Sequence, residues 1–258
     1  MQDQWTDGEI TPGGSEIIMG ETRDVDWEAP ETHAENIEEI ETFLHKALGV
    51  EDHNVFHEIL SDKVHLDVLV YPPAGDRDYY LYVTSGMSDV PMSLPEGLSQ
   101  DEFGRTELIM ALPRAWGEKV AKLDSSASDP DNVFWPISVM KWLARYPHVA
   151  NTWVGAGHTI PNGPDAQPYD DTTLFNGVIL SYAPFLPLDM DRLRLPSGDY
   201  ISFLGVVFLH PGEMDLKLEK GADELFERLY AQGQPEILDL SRRSVVRTNP
   251  ILRLLKGP

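Results

Sequence analysis

The sequence predicts an α+β fold with a central mixed, largely antiparallel β-sheet flanked by α-helices. Short apolar runs, alternating or continuous, are bounded by Gly, Pro and Asp, as in strands joined by turns. Amphipathic helical segments stand before, between and after these runs. The short connections between runs favour antiparallel pairing, because parallel neighbours need a long crossover. With 258 residues, 41% of them hydrophobic, the chain can bury a substantial core.

The clearest helix lies in "ETHAENIEEIETFLHKALG". Thr32 and Glu35 form a T-x-x-E capping box, and Gly49 is placed to end the helix. One apolar face is predicted for this helix, made by Ile37, Ile40, Leu44, Ala47 and Leu48. The sequence therefore predicts an amphipathic helix over about 32–48.

Three strands are predicted next, at 64–71, 79–86 and 105–113. The first is half to mostly buried and ends at Pro72-Pro73, and the turn "AGDRD" leads into the second, so the two form a hairpin. In the third strand one face is apolar, with Thr106, Leu108, Met110 and Leu112.

The second half of the chain continues the alternation. A helix is predicted from Trp135, with Pro136 in its first turn and Pro147 as its stop. The remaining predicted elements are a short strand at 152–155, two apolar strands at 174–184 and 200–211, and one helix over 213–232.

Charge divides the chain into three expected parts. Residues 1–62 hold 17 Asp and Glu against two Lys and Arg, and the net charge of the chain is −23. We expect 1–30 to be an acidic, loosely ordered extension, 31–235 to form one domain, and 236–258 to be a basic tail that can dock on the domain. Such acidity disfavours nucleic acid and favours a basic protein partner by electrostatic steering.

Composition also excludes several classes of protein. The chain has no cysteine, which excludes disulfides, thiol nucleophiles and thiolate-bound metals. Its start has neither a basic nor an apolar signal region, and its longest apolar runs fall well short of the about 20 residues that span a bilayer. We therefore expect a cytoplasmic protein without a membrane partner.

No motif predicts an enzyme, although two alternatives stay open. His53 and His57 in "HNVFH" lack the zincin glutamate, so a surface turn is the simpler interpretation. His65 and Asp67, two apart on a strand, can bind a metal or act as an acid–base pair. The other alternative is a hydrolase that uses Ser85 or Ser88, in "TSGMSD", together with His158.

The loop "NTWVGAGHTIPNGP" concentrates candidate binding residues among turn-forming residues. Trp153, His158, Thr159 and Asn162 lie between three glycines and two prolines. The loop fits neither phosphate-binding glycine motif, and it has no lysine. It therefore predicts a rigid recognition loop, with a plain connection between strands as the alternative.

Several phrases in order resemble the Suppressor of Fused-like domain family, over about 65–214. They are "HLDVLVYPP", "TSGMSDVPM", "RTELIMALP", "GHTIPNGP", "FNGVILSYAP" and "GDYISFLGVVFLHPGEM". The resemblance implies an α+β domain with no established enzymatic activity. In animals such a domain stands at the front of a protein that sequesters a transcription factor, whereas bacterial members resemble immunity proteins encoded beside secreted toxins.

The resemblance places this chain with the bacterial type, because we expect the second domain of the animal protein to be absent. It implies that the glycine-rich loop is scaffold whose turns are tied by His158 and Asn162. We therefore predict a non-enzymatic immunity protein that binds a basic toxin and needs no cofactor. The candidate binding residues are Ser88, Asp89, Trp153, His158, Thr159 and Asn162. A regulatory module without a toxin is a further alternative.

Overall fold

The computed structural model describes residues 5–20, 36–57, 65–123, 129 and 132–246. The helices of these residues are α1 (Ile37–Leu48), α2 (Gln100–Phe103), α3 (Arg114–Val120), α4 (Trp135–Val149), α5 (Glu213–Lys220) and α6 (Ala222–Tyr230). The strands are β1 (Asn54–Phe56), β2 (Asp67–Tyr71), β3 (Tyr79–Ser85), β4 (Arg105–Pro113), β5 (Thr159–Pro161), β6 (Gly177–Tyr182), β7 (Arg192–Arg194) and β8 (Tyr200–Leu209).

All eight strands of the described residues belong to one mixed sheet, in the order β1-β2-β3-β4-β8-β6-β5, with β7 paired to β8. Only β4 and β8 run parallel, with Arg105 opposite Ile201, and every other pair is antiparallel. The predicted fold class, an α+β chain with a mixed, largely antiparallel sheet, is confirmed. The sheet is buried on both faces, which is why β2 and β8 are almost continuously apolar.

Helices cover the two faces of the sheet. On one face, Val68, Leu108 and Phe208 pack with Met140 and Leu143 of α4. On the other face, alternate residues pack with α1 through Ile40 and Leu44, and with α6 through Leu225 and Leu229. The molecule is therefore a three-layer arrangement in the part that the structure describes. No helix of these residues is both long and apolar enough to cross a membrane.

The strongest periodic patterns predicted their elements well. The helix α1 ends at Gly49, which has a left-handed backbone (φ 66°) as expected for a helix stop. Its capping box, Thr32 and Glu35, lies outside the described residues. The hairpin of β2 and β3 and the apolar face of β4 are also confirmed.

One prediction about a histidine-bearing segment was wrong, and the start of another was misplaced. "HNVFH" is not a surface turn, because residues 54–56 form β1 and pair with residues 68–70 of β2. His53 and His57 therefore flank an edge strand and cannot share a helix face. The strand β2 begins at Asp67, so His65 precedes it.

The predicted strand at 152–155 was wrong. Thr152 donates its N–H to the carbonyl of Pro147, so this stretch closes the end of α4 and does not join the sheet. Pairing to β6 begins four residues later, at Thr159. Pro147 is not the stop of α4 either, because the helix continues through it to Val149.

The predicted single helix over 213–232 is two helices, separated at Gly221. This glycine has φ 93° and ψ 166°, a conformation that a helix interior does not allow. It also lies against Gly13, whose carbonyl oxygen would be 3.1 Å from a Cβ at Gly221. The break therefore lets the chain turn between α5 and α6 where the N-terminal segment crosses. The helices α2 and α3 and the strands β1 and β7 were not predicted.

Candidate functional site

The loop 151–164 leaves α4 and enters β5. Gly157 donates its N–H to the carbonyl of Leu180 (2.7 Å), and the N–H of Leu180 donates to the carbonyl of His158 (3.0 Å). The side-chain amide of Asn162 donates to the carbonyls of Gln167 (2.8 Å) and Pro168 (3.3 Å). The loop is therefore fastened to β6 by its backbone and to its own continuation by Asn162, as predicted for this residue.

With the residues that the structure describes, the ring of His158 makes no hydrogen bond, so it does not tie the turns as predicted. Its ring packs edge-on against Trp153, with the ring centroids 4.4 Å apart. Burial, with a smaller effect from the charge of Lys217, lowers the pKa of His158 to about 4. The imidazole is therefore neutral near pH 7 and keeps one N–H donor.

A cavity of about 200 Å³ lies between this loop, α5 and the segment 5–20. Its lining includes Trp153, His158, Thr159 and Lys217, and mostly apolar side chains complete its walls. Lys217 is only 6% exposed, and burial lowers its pKa. Three of the six candidate binding residues thus meet in one cavity together with a lysine that the sequence did not single out.

We predict that the ring of His158 titrates with a midpoint near pH 4, far below the ordinary value of about 6.5. The unfolded chain binds the proton at about pH 6.5, so this histidine makes the fold less stable as pH falls from about 6.5 to 4, by up to about 3 kcal/mol. An NMR titration of the imidazole signals measures the midpoint. Lys217→Met should raise it, and a wild-type midpoint near 6.5 would show that water reaches the ring freely.

The segment 5–20 covers α5 and closes one side of the cavity. Gly13 donates its N–H to the carbonyl of Leu218 (2.8 Å), and a bridge between Ile10 and Glu16 folds the segment back on itself. A Cβ at Gly13 would lie against backbone, 2.6 Å from the carbonyl oxygen of Lys217. Only glycine fits this crossing without a shift of the main chain.

We therefore predict that Gly13→Ala displaces the segment from α5. Amide exchange of Gly8 and Ile17, whose N–H groups are bonded inside the segment, should speed up by about tenfold or more, because local opening sets these rates. Exchange measured by NMR checks this. Ser15→Ala is the control, because the hydroxyl of Ser15 makes no hydrogen bond with the described residues. Equal rates in Gly13→Ala and wild type would contradict the prediction.

Of the other three candidate residues, Asn162 lies on the same loop outside the cavity lining, whereas Ser88 and Asp89 lie elsewhere, beside a buried carboxylate. Glu107 on β4 is fully buried and accepts from the hydroxyl of Thr84 (2.6 Å), and from the backbone (3.0 Å) and hydroxyl (2.7 Å) of Ser88. The N–H of Gly86 is a fourth donor (3.0 Å). We call Thr84, Gly86, Ser88 and Glu107 the glutamate cradle.

Opposing effects act on the carboxyl group in the cradle. Burial raises the pKa of Glu107 to about 6, against the four hydrogen bonds that lower it. Gly86 has φ 118°, and a Cβ there would collide with the carbonyl of His65, so this corner requires glycine. The cradle therefore fixes the turn after β3 on β4.

Arg105 holds the same turn from its far side. Its guanidinium donates to the carbonyls of Ser88 (2.6 Å) and Asp89 (2.8 Å) and pairs with Asp199 at 3.0 Å. The carboxylate of Asp89 accepts from the side-chain amide of Asn36 (2.9 Å), which connects the turn to the start of α1. Ser88 and Asp89 are therefore buried parts of the scaffold.

The serine–histidine alternative does not have the required geometry. The hydroxyl of Ser88 donates to Glu107, and neither Ser85 nor Ser88 lines the cavity that contains His158. Both serines are fully buried. The described residues show no contact that joins either of them to the imidazole, which a nucleophile and its base require.

The residues of the histidine–aspartate alternative lie together at the start of β2. The buried carboxylate of Asp67 lies 3.4 Å from Nε2 of His65 and 3.2 Å from Nδ1 of His57. Among the residues that the structure describes, no group of three or more His, Asp or Glu side chains is arranged to hold a metal ion. The contact between His57, which follows β1, and Asp67, which begins β2, connects the two strands.

A buried ion pair between Arg242 and Glu213 fastens the residues after α6. Arg242 donates through both terminal nitrogens to Glu213, at 2.8 and 2.7 Å, and also donates to the carbonyl of Phe208 (2.9 Å). Glu213 further accepts from the N–H groups of His210 and Val245, both at 2.8 Å. Burial would raise the pKa of Glu213, but these partners outweigh it and hold the pKa below its usual value.

Comparison with known proteins decides the family. The model of the family "Suppressor of fused protein (SUFU)" matches residues 62–243. The chain belongs to the Suppressor of Fused family. A search of curated proteins finds no match by sequence.

Solved Suppressor of Fused structures share the fold at low sequence identity. Sufu in a complex with Fu has a TM-score of 0.60 at 16% identity, over 85% of this chain and 96% of that one. A SUFU homolog from Neisseria gonorrhoeae has a TM-score of 0.54 at 15% identity, over 82% and 95% of the two chains. Drosophila Suppressor of Fused has a TM-score of 0.59 at 16% identity, over 89% of this chain and 55% of that one.

The phrases on which the family resemblance was based coincide with internal hydrogen-bond networks. "TSGMSD" and "RTEL" build the glutamate cradle and its Arg105 support. "HPGEM" contributes Glu213 to the pair with Arg242, and "PNGP" contributes Asn162. These phrases therefore fix the shape of the domain.

Sequence reasoning did not single out Lys217 or Arg242, and it identified Glu107 only as part of the "RTEL" phrase that resembles the Suppressor of Fused family. Glu107 had a signal, because it is an acid inside an otherwise apolar strand. The sequence signal for Lys217 was weaker: this lysine stands between two leucines of α5. Arg242 had none, because its partner Glu213 is 29 residues away and one basic residue in a basic tail does not stand out.

Proposed function

We propose that this chain is a non-enzymatic binding protein of the bacterial type that masks a basic protein partner. One observation carries the proposal. The polar residues of the family phrases lie in internal networks, with Ser88 bonded to Glu107 and Glu213 to Arg242. A chain whose shared polar residues stabilise loops offers a rigid surface, and rigid surfaces lower the entropy cost of binding.

We further propose that the partner is a toxin, which makes the chain an immunity protein that acts in the cytoplasm. The net charge of −23 supports a basic partner, because complementary charge speeds association and suppresses wrong partners. A relative of the same fold, Sufu, forms a complex with the protein Fu, which supports a protein-binding role. Trp153, His158, Thr159 and Asn162 stay candidate binding residues on or beside the glycine-rich loop, whereas Ser88 and Asp89 act from the interior.

Co-expression with the product of an adjacent toxin gene tests the proposal. The full chain should co-purify with that toxin in a defined complex and restore growth to cells that express it. The association rate should fall as salt rises, since salt screens steering. A toxin from an unrelated locus is the control. Absence of both complex and rescue would overturn the immunity role.

The same experiment distinguishes the immunity protein from the regulatory alternative, a binding module without a toxin. If no toxin gene lies nearby and the purified chain captures a different protein in a saturable complex, the binding role holds and the immunity role does not. Loss of binding with every protein tested would contradict both.

A further inference from the structure

We propose that the cavity between the glycine-rich loop, α5 and the N-terminal segment binds a small monocarboxylate with a compact apolar body. This site does not depend on the proposed toxin partner. The cavity encloses about 200 Å³, and an apolar cavity of about 150 Å³ admits benzene. A ring or short branched chain with one carboxylate therefore fits its size.

Lys217 is the observation that points to an anion. Only 6% of the surface of Lys217 is exposed, and the residue lines the cavity. Among the described residues its ammonium group has no ion pair and no hydrogen bond. Its nitrogen is open to the cavity, so water solvates the charge there, and an ion pair formed in these mostly apolar walls would be screened less than one at the surface. An incoming carboxylate would supply the missing partner.

The surroundings of Lys217 leave that role to a ligand. Glu213, one turn earlier on α5, is already bonded to Arg242. Glu16 lies on the lining but is exposed and forms no ion pair with Lys217. Lys217 and His158 line the same cavity, and the charge of Lys217 helps to lower the pKa of His158.

Two further donors can complete the recognition of a carboxylate. His158, neutral near pH 7, has one N–H, and Thr159 has a hydroxyl, and both residues line the cavity. The remaining walls include Trp153, Met214 and Leu218, which suit an apolar body. One cation in apolar walls disfavours phosphate, because a dianion needs several charged or backbone donors.

Calorimetric titration of the full chain with benzoate tests the site. We expect a dissociation constant of about 1 mM or lower, as ligands of this size reach in enclosed sites. Lys217→Met should weaken benzoate binding by about 10- to 100-fold, because a hydrogen bond to a charged group is lost. Benzyl alcohol, of the same shape without charge, should bind wild type and Lys217→Met alike. Acetate and inorganic phosphate should bind weakly.

Lys220→Met is the matched control, because Lys220 is exposed on the same helix and does not line the cavity. It should bind benzoate as wild type does. If Lys217→Met does not fold, the Nζ signal of Lys217 in the wild-type NMR spectrum replaces it and should shift with benzoate but not with benzyl alcohol. No saturable benzoate binding, equal binding by Lys217→Met, or an unmoved Nζ signal would overturn the proposal.

Discussion

Replacement of Glu107 by alanine should lower the free energy of unfolding by about 3–5 kcal/mol. The change leaves the donors of Thr84, Gly86 and Ser88 buried without an acceptor, each at a cost of about 1–3 kcal/mol, and opens a cavity. Urea unfolding measures the loss. Glu102→Ala is the control, because Glu102 is exposed and its side chain has no hydrogen bond in the described part of the chain.

The pH dependence of Glu107 gives a second readout of the same variant. The folded-state pKa of about 6 is above the unfolded value of about 4.5, so the carboxyl group favours folding below pH 4.5, and this contribution is lost as pH rises through 6. This contribution to the free energy of unfolding is about 2 kcal/mol. Glu107→Gln should remove this pH dependence while keeping most of the shape. An alanine variant as stable as wild type would contradict the cradle.

Replacement of Arg242 by alanine should also lower the free energy of unfolding by about 3–5 kcal/mol, because it leaves the carboxylate of Glu213 buried and unpaired. The carbonyl of Phe208 loses a donor as well. Arg243→Ala is the matched control, since Arg243 is the exposed neighbour. Urea unfolding of both variants checks the difference.

The pair also predicts a rescue and a pH effect. Glu213→Leu combined with Arg242→Met should be more stable than Arg242→Met alone, because an apolar pair leaves no buried charge. The pKa of Glu213 is lowered, so its stabilisation is present above the unfolded value of about 4.5 and is lost as pH falls through the folded pKa. Equal stability of Arg242→Ala and Arg243→Ala would contradict this account.

The sequence predicted the elements whose apolar periodicity is strong. Helix α1, the hairpin of β2 and β3, and strands β4, β6 and β8 follow from residues such as Ile40, Leu44 and Leu108, which are buried where their spacing requires. Prediction of elements from the sequence failed where tertiary contacts override the local pattern of residues. The three residues of β1 become a strand by pairing with β2, and α5 and α6 separate at Gly221 because Gly13 crosses there.

The candidate site was predicted only in part, for a related reason. Trp153, His158 and Thr159 meet in one cavity, because the loop that carries them folds as a unit. Lys217 comes from a helix more than fifty residues later, and the N-terminal segment closes the cavity from the other end of the chain. Such convergence depends on sheet topology, which local patterns do not determine. The division into 1–30, 31–235 and 236–258 stays a prediction.

The central claim is that the polar residues of the phrases that resemble the family stabilise a rigid scaffold by bonding to one another. A double-mutant cycle on Ser88→Ala and Glu107→Ala, followed by urea unfolding, tests it most directly, because the two side chains meet at 2.7 Å and each variant removes that hydrogen bond. We predict a coupling of about 1.5–3 kcal/mol, the range for a hydrogen bond to a charged group. A coupling near zero would mean that the two residues act independently, and the claim would be wrong.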